Sequence, residues 1–219
     1  MKRSISLSIL VSLCVGAWLS FGFAPLGNDG ETYWERQLRL RGMMNLPVKP
    51  ILQSKVTSCG EAAITMAHNY AYAETKISEQ EIVAFAAREG YYVEDRTPFT
   101  SPQDMVKVAE NYTDTVFTGS VTTVDEGMKL LIQNLTHGDP VIIDILSRLY
   151  DPESGAHFVV VTGLAIDVKN PNKTRIYFND PQTGTNRSAY WLGIEGVWNA
   201  WKNNGDPGGS GWWMVMASP

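Results

Sequence analysis

The spacing of apolar positions changes character near residue 140. Before that point apolar residues recur three and four apart, which gives a helix one buried face. After it they gather in short runs rich in Val, Ile and aromatic residues, which suit strands. Cys59, Ala62, Ala63, Met66, Ala67 and Tyr70 fall at helical spacing, and their mostly small side chains suit a central, buried helix. Ser58, followed three residues later by Glu61, carries a capping-box signature and places the N-cap at Ser58. Ser78 and Glu81 repeat that signature, with Ile77 and Ile82 spaced as a hydrophobic staple, and predict a helix over 79–88 that Gly90 ends. Ser101-Pro102 opens a third helix carried by Met105, Val108 and Ala109. Thr123 opens a fourth, with Met128, Leu131, Ile132 and Leu135 on one side. The charged, aromatic and aperiodic stretch from Arg88 to Thr100 reads as a loop, and Thr136 to Pro140, which holds His137, as a turn. Strands are predicted over 141–146, 158–166, 175–179 and 212–217. Helices first and strands later describe an α+β domain in two layers.

The start of the chain has a different texture. Met1-Lys2-Arg3 precedes an uncharged, apolar stretch from Ser4 to Ala24, the pattern of an export signal. The small residues around Ser20-Phe21-Gly22 suit cleavage, and an uncleaved membrane anchor over the same residues is the alternative. Bulky Leu13 before Cys14 argues against lipidation. Residues 1–24 are therefore assigned to a signal peptide or anchor, and 25–219 to one domain of a size that buries a substantial core. Asn28 to Met44 is polar and reads as either a short helix or an extended arm, while the prolines of Asn45 to Pro50 predict an extended approach.

Two of the 18 basic residues and none of the 23 acidic ones precede Ala24, which leaves a net charge of −7 beyond it. An acidic chain of this kind argues against nucleic acid or anionic lipid as a partner, apart from membrane contact through an N-terminal anchor. With Cys14 removed, Cys59 is the one remaining thiol of an exported protein, which excludes an internal disulfide and marks it as a candidate reactive group.

At the start of a helix, unpaired N–H groups and the helix dipole favour the thiolate form of Cys59. Gly60 leaves room beside it for a substrate backbone, and the Gln53 amide is a candidate donor to an oxyanion. His157 opens the run that ends at Gly163, just ahead of the strand predicted over 158–166, and Asp180 follows Ile176 to Asn179. Cysteine, then histidine, then Asp or Asn, each far apart in sequence, is the order of a papain-like nucleophilic site. Asn179 is the rival of Asp180 for the third place, and strand alternation allows only one of them to face the histidine. His68 lies on a different helix face from Cys59 and reads as structural or solvent-facing.

Gln53 six residues before Cys59, the helix start Cys59-Gly60-Glu61-Ala62-Ala63, the run from Gly155 through His157 to Gly163, and Asn179-Asp180-Pro181 all lie within Pro47 to Trp213. In these pieces and their order the chain resembles the papain-fold cysteine peptidases typified by the bacteriocin-processing, double-glycine-leader peptidases, including their stand-alone secreted relatives. The resemblance implies a papain-like fold, with the cysteine helix packed on a sheet that carries His157 and Asp180. It also implies peptide-bond hydrolysis by Cys59, His157 and Asp180, with Gln53 donating to the oxyanion, on a peptide or protein substrate and without a cofactor. The same fold supports amide hydrolysis or transpeptidation of cell-wall peptides, or a binding module that has lost catalysis.

Other chemistries lack their residues. There is no Gly-x-x-x-x-Gly-Lys-Ser/Thr loop for nucleoside triphosphates, no Gly-x-Ser-x-Gly elbow, and the three scattered histidines offer no metal-ligand spacing. Trp191, Trp198, Trp201, Trp212 and Trp213 crowd the last 30 positions and are expected to pack over the sheet, with a share of them lining a substrate groove as the second reading. The glycine-rich stretch from Asn203 to Gly211 reads as a surface turn, with a lid as the second reading.

Overall fold

The computed structural model describes residues 31–217, so the signal or anchor expected over residues 1–24 lies outside the described residues. The elements run α1 (Tyr33–Arg41), β1 (Met43–Asn45), α2 (Cys59–Ala71), α3 (Glu79–Arg88), α4 (Pro102–Glu110), β2 (Val116–Ser120), α5 (Val124–His137), β3 (Val141–Leu146), β4 (Ala156–Ala165), β5 (Arg175–Asp180), β6 (Thr185–Tyr190), α6 (Val197–Lys202) and β7 (Trp212–Met216). The helices and the antiparallel sheet form an α+β domain consistent with the papain-like expectation. Of the polar stretch 28–44, the described residues form a helix and then enter β1: Thr32 and Glu35 close a capping box on α1, and Gly42 ends it in the left-handed region.

The seven-stranded sheet has the order β2-β7-β3-β4-β5-β6, and β1 pairs with β4 beyond the end of β3. That arrangement dictates Gly163. A Cβ there would meet the Met44 carbonyl oxygen at 2.2 Å, and the register of β4 against β5 shifts between Val161 and Gly163. All four sequence-predicted strands are present. The sheet's outer strands β2 and β6 were not predicted, and β6 in particular has no buried residue and no apolar alternation.

Helix α2 is the centre of the helical layer, buried from Gly60 to His68 and packed chiefly on β4. Gly60 is small for a reason the sequence did not disclose. A Cβ would lie 2.5 Å from the Met105 sulfur of α4 and 3.3 Å from the Phe158 ring of β4, so the glycine lets α2 press into the core. His68 is buried, with its ring stacked on Tyr72 at 4.9 Å, and so has a structural place. His137 belongs to the last turn of α5 rather than to a loop, and its Nδ1 pairs with Asp139 (2.6 Å).

Trp191, Trp198 and Trp201 form a three-ring cluster with centroids 5.6 to 6.4 Å apart, packed against Gly127 of α5. Trp212 meets Phe158 edge-on at 5.5 Å. These tryptophans therefore pack, as the first of the two readings expects. The 203–211 loop is tied down by buried Asn204, whose amide donates to the Asp144 (2.8 Å) and Gly209 (2.9 Å) carbonyls and accepts from the Asp206 N–H (3.0 Å).

Candidate active site

The first turn of α2, the start of β4 and the end of β5 converge on one cavity of about 250 Å³, lined among others by Gln53, Cys59, His157, Gln182 and Asp206. No tryptophan lines it. Antiparallel pairing brings the end of β5 beside the start of β4. Val160 opposes Asn179 and Val161 opposes Phe178, so pleating puts His157 and Asp180 on one face and Asn179 on the other.

His157 is 6% exposed, and its Nε2 donates to Asp180 Oδ1 at 2.8 Å. That leaves Nδ1 as the ring nitrogen available to Cys59, which lines the same cavity. Burial alone would pull the imidazole down, but Asp180 and Cys59 more than offset it and hold His157 up at about 10. Burial likewise pushes Asp180 up, and hydrogen bonds from His157 and Arg187 outweigh it, so its carboxyl falls to about 2. At neutral pH the site thus holds an imidazolium between a carboxylate and the cysteine.

Asn179 is fully buried and occupied elsewhere. Its amide donates to the Val48 carbonyl (2.9 Å) and accepts from Asn186 Nδ2 (2.8 Å), which ties β5 to β6 and to the segment entering the site.

Ser58 is the N-cap of α2, yet the expected capping box does not form. The Ser58 hydroxyl donates to Glu79 Oε1 instead (2.6 Å), and Glu61 turns into the core, where Thr100 Oγ1 donates to it at 2.6 Å. A buried acceptor on α3 and a buried donor from the 88–100 loop outcompete the local pairing. No side chain caps the first turn of α2, so its N–H groups stay open on the cavity side. Glu79 does more than hold Ser58. Both of its oxygens accept from the Ser54 N–H (2.9 and 2.8 Å), and the Gln53 N–H donates to the Pro181 carbonyl (2.9 Å), so the loop ahead of Cys59 is pinned to α3 and to the end of β5.

Gln53 sits at the cavity wall, but its Nε2 donates to the carbonyls of Lys55 (2.7 Å) and Val56 (2.8 Å), while Oε1 is buried without a partner. The amide lines the same cavity as Cys59, with its N–H groups spent on the carbonyls of its own loop. Two groups near the site escaped the sequence reading: Glu79, and Arg187, whose Nη1 donates to Asp180 Oδ2 at 2.6 Å. Among the described residues no group of three His, Cys, Asp or Glu side chains comes together to hold a metal.

No curated protein matches the chain. A family model does: the Peptidase_C39 like family covers residues 45–206, a span that contains the loop of Gln53, the helix of Cys59 and the strands of His157 and Asp180. The match takes in well over half of the chain and agrees with an α+β, papain-like architecture, and the chain belongs to the Peptidase_C39 like family of cysteine peptidases.

Proposed function

We propose that the protein hydrolyses peptide bonds by acyl transfer through Cys59. The observation that carries this reading is Cys59 and His157 on the wall of one cavity, with the imidazole bonded through Nε2 to the buried Asp180 carboxylate. Cys59 attacks the scissile carbonyl as thiolate, forming a C–S bond. His157 gives its proton to the leaving amine as the C–N bond breaks, then takes one from the water that releases the acyl group. Asp180 holds the ring in place and stabilises its charge.

The uncapped N–H groups at the start of α2 serve as oxyanion donors. Gln53 joins them when its amide leaves the Lys55 and Val56 carbonyls, an exchange favoured because an oxyanion is a charged and therefore stronger acceptor than a carbonyl. The basic and then apolar start of the chain, with a lone thiol beyond it, supports an exported protein, released or held by residues 4–24.

The test is turnover of a fluorogenic peptide library by the wild type, Cys59→Ala and Gln53→Ala. Cys59→Ala is expected to abolish cleavage with the fold intact by circular dichroism, and appreciable cleavage by that variant would remove Cys59 as nucleophile. Gln53→Ala is expected to lower kcat by about 10²–10³, the usual loss for one oxyanion donor. A change confined to KM would restrict Gln53 to shaping the loop.

A further inference from the structure

Asp180 divides its two oxygens between two kinds of partner. Oδ1 accepts from His157 Nε2 (2.8 Å) and from the Gln182 N–H (2.9 Å), whereas Oδ2 accepts from Arg187 Nη1 at 2.6 Å. Arg187 reaches it from the next strand. Asp180 opposes Thr185 in the β5–β6 ladder, Phe178 opposes Arg187, and the guanidinium carbon lies 5.9 Å from the Phe178 ring centroid, so Arg187 crosses the diagonal with its guanidinium over an aromatic face. The carboxylate is 2% exposed and the Arg187 side chain 46%. A line of charge therefore runs from solvent through Arg187 and Asp180 to His157.

We propose that Arg187 is a positioning residue of the candidate peptidase, one that fixes the plane of the Asp180 carboxylate from behind and tunes how readily His157 gives up its proton. This rests on the reading of Cys59, His157 and Asp180 as the reacting groups. A carboxylate that answered to the imidazolium alone would hold its proton more tightly, and the leaving amine needs that proton. A cation on the far oxygen shares the carboxylate and adds positive potential at the site, which favours a thiolate and disfavours an imidazolium. Removing Arg187 reverses both effects. The acid limb of the pH–activity profile, where the thiolate forms, and the alkaline limb, where the imidazolium loses its proton, both move to higher pH.

Other groups act on the imidazole as well. Cys59 lies on α2, while the buried Asp144 of β3, its carboxyl pushed well up by burial and by Asp206 of the 203–211 loop, is drawn down by the charge of His157. Asp144 and Asp206 are kept in every variant, so the movement of the two limbs reads the charge of Arg187.

The experiment compares wild type, Arg187→Met and Arg187→Lys by kcat/KM against pH on a peptide that the wild type cleaves through Cys59. In parallel, the His157 ring is titrated by ¹⁵N NMR, which needs no turnover. Arg187→Met is expected to move both limbs and the ring titration upward by about half a pH unit, the scale of a half-exposed ion pair. Its loss is expected in kcat more than in KM, and Arg187→Lys should return the limbs toward wild type. A lower thermal midpoint in Arg187→Met with limbs and titration unmoved overturns the proposal and leaves Arg187 as a tie between strands. If the Met variant does not fold, the Lys variant decides: limbs and ring titration at wild-type positions with kcat reduced at most a few-fold support the proposal, and a large loss of kcat with unmoved limbs overturns it. Absence of any Cys59-dependent cleavage in the wild type overturns the catalytic reading instead, and the ring titration still judges the role of Arg187.

Discussion

Two carboxyls near the ends of the site are equally hidden from water and behave oppositely. Asp180 is 2% exposed and its carboxyl falls to about 2, while Glu61 is 0% exposed and burial pushes its carboxyl up to about 7. Asp180 meets an imidazole, a guanidinium and a backbone N–H. Glu61 meets one hydroxyl, from Thr100, and its Oε2 has no partner. Burial alone makes a carboxylate costly, and the donors around it decide whether it stays ionised. The fold supplies a full set of donors at the end of β5, where charge supports the imidazolium, and leaves the first turn of α2 nearly bare, where a neutral acid suffices to pack.

The largest effect expected from breaking this contrast is on catalysis. Asp180→Ala removes the carboxylate that positions His157 and is expected to lower kcat/KM by about 10²–10⁴, the range of a general acid–base contribution. Asp180→Asn should cost less, because the amide oxygen still accepts from Nε2 while the charge is lost. Asn179→Ala, on the other face of the strand, should cost stability more than turnover. Steady-state kinetics on the three variants, with circular dichroism as the folding control, makes the comparison, and a crippled Asn179→Ala beside a nearly normal Asp180→Ala would exchange their roles.

A smaller effect is expected at the other carboxyl, and in stability rather than rate. The folded chain holds the Glu61 proton more tightly than the unfolded chain does, so its contribution is fully present below about pH 4.5 and is lost as pH rises through about 7. Glu61→Gln lacks that loss. Denaturant unfolding at several pH values should show the variant gaining on wild type between about pH 4.5 and 7, by up to about 3 kcal/mol. A constant difference across that window would mean that Glu61 is not buried as a neutral acid.

How much of this was visible in the sequence varies with how local its causes are. Helix α3 begins and ends where Ser78, Glu81 and Gly90 place it, because a cap is settled within a few residues. The same pattern at Ser58 and Glu61 gave the right helix start for the wrong reason. Glu79 and Thr100, distant in sequence, claim both side chains. Strands buried on both faces, such as β3, announce themselves as apolar runs. Edge strand β6 reads Thr-Asn-Arg-Ser-Ala-Tyr, and only its partner β5 defines it. Arg187 lies on that strand, so its place beside Asp180 became readable only with the β5–β6 register, for which Pro181-Gln-Thr-Gly184 is the one local signal. The placing of Cys59 and His157 followed from their order, strand alternation allowed only one of Asn179 and Asp180 to join them, and the family resemblance pointed to Asp180. The turned-in Gln53 amide did not follow, because spacing places a side chain without orienting it.

The central claim is that His157 is an imidazolium at neutral pH, held so by Asp180 on one nitrogen and by Cys59 as its other partner. The direct measurement is ¹⁵N NMR titration of the histidine rings, with His68→Gln and His137→Gln used to assign the three signals. The account predicts that the His157 ring stays doubly protonated through neutrality and titrates near 10, and that Asp180→Ala brings it down. A His157 ring that is already neutral at pH 7 and titrates near or below the ordinary histidine value of about 6.5 would contradict it.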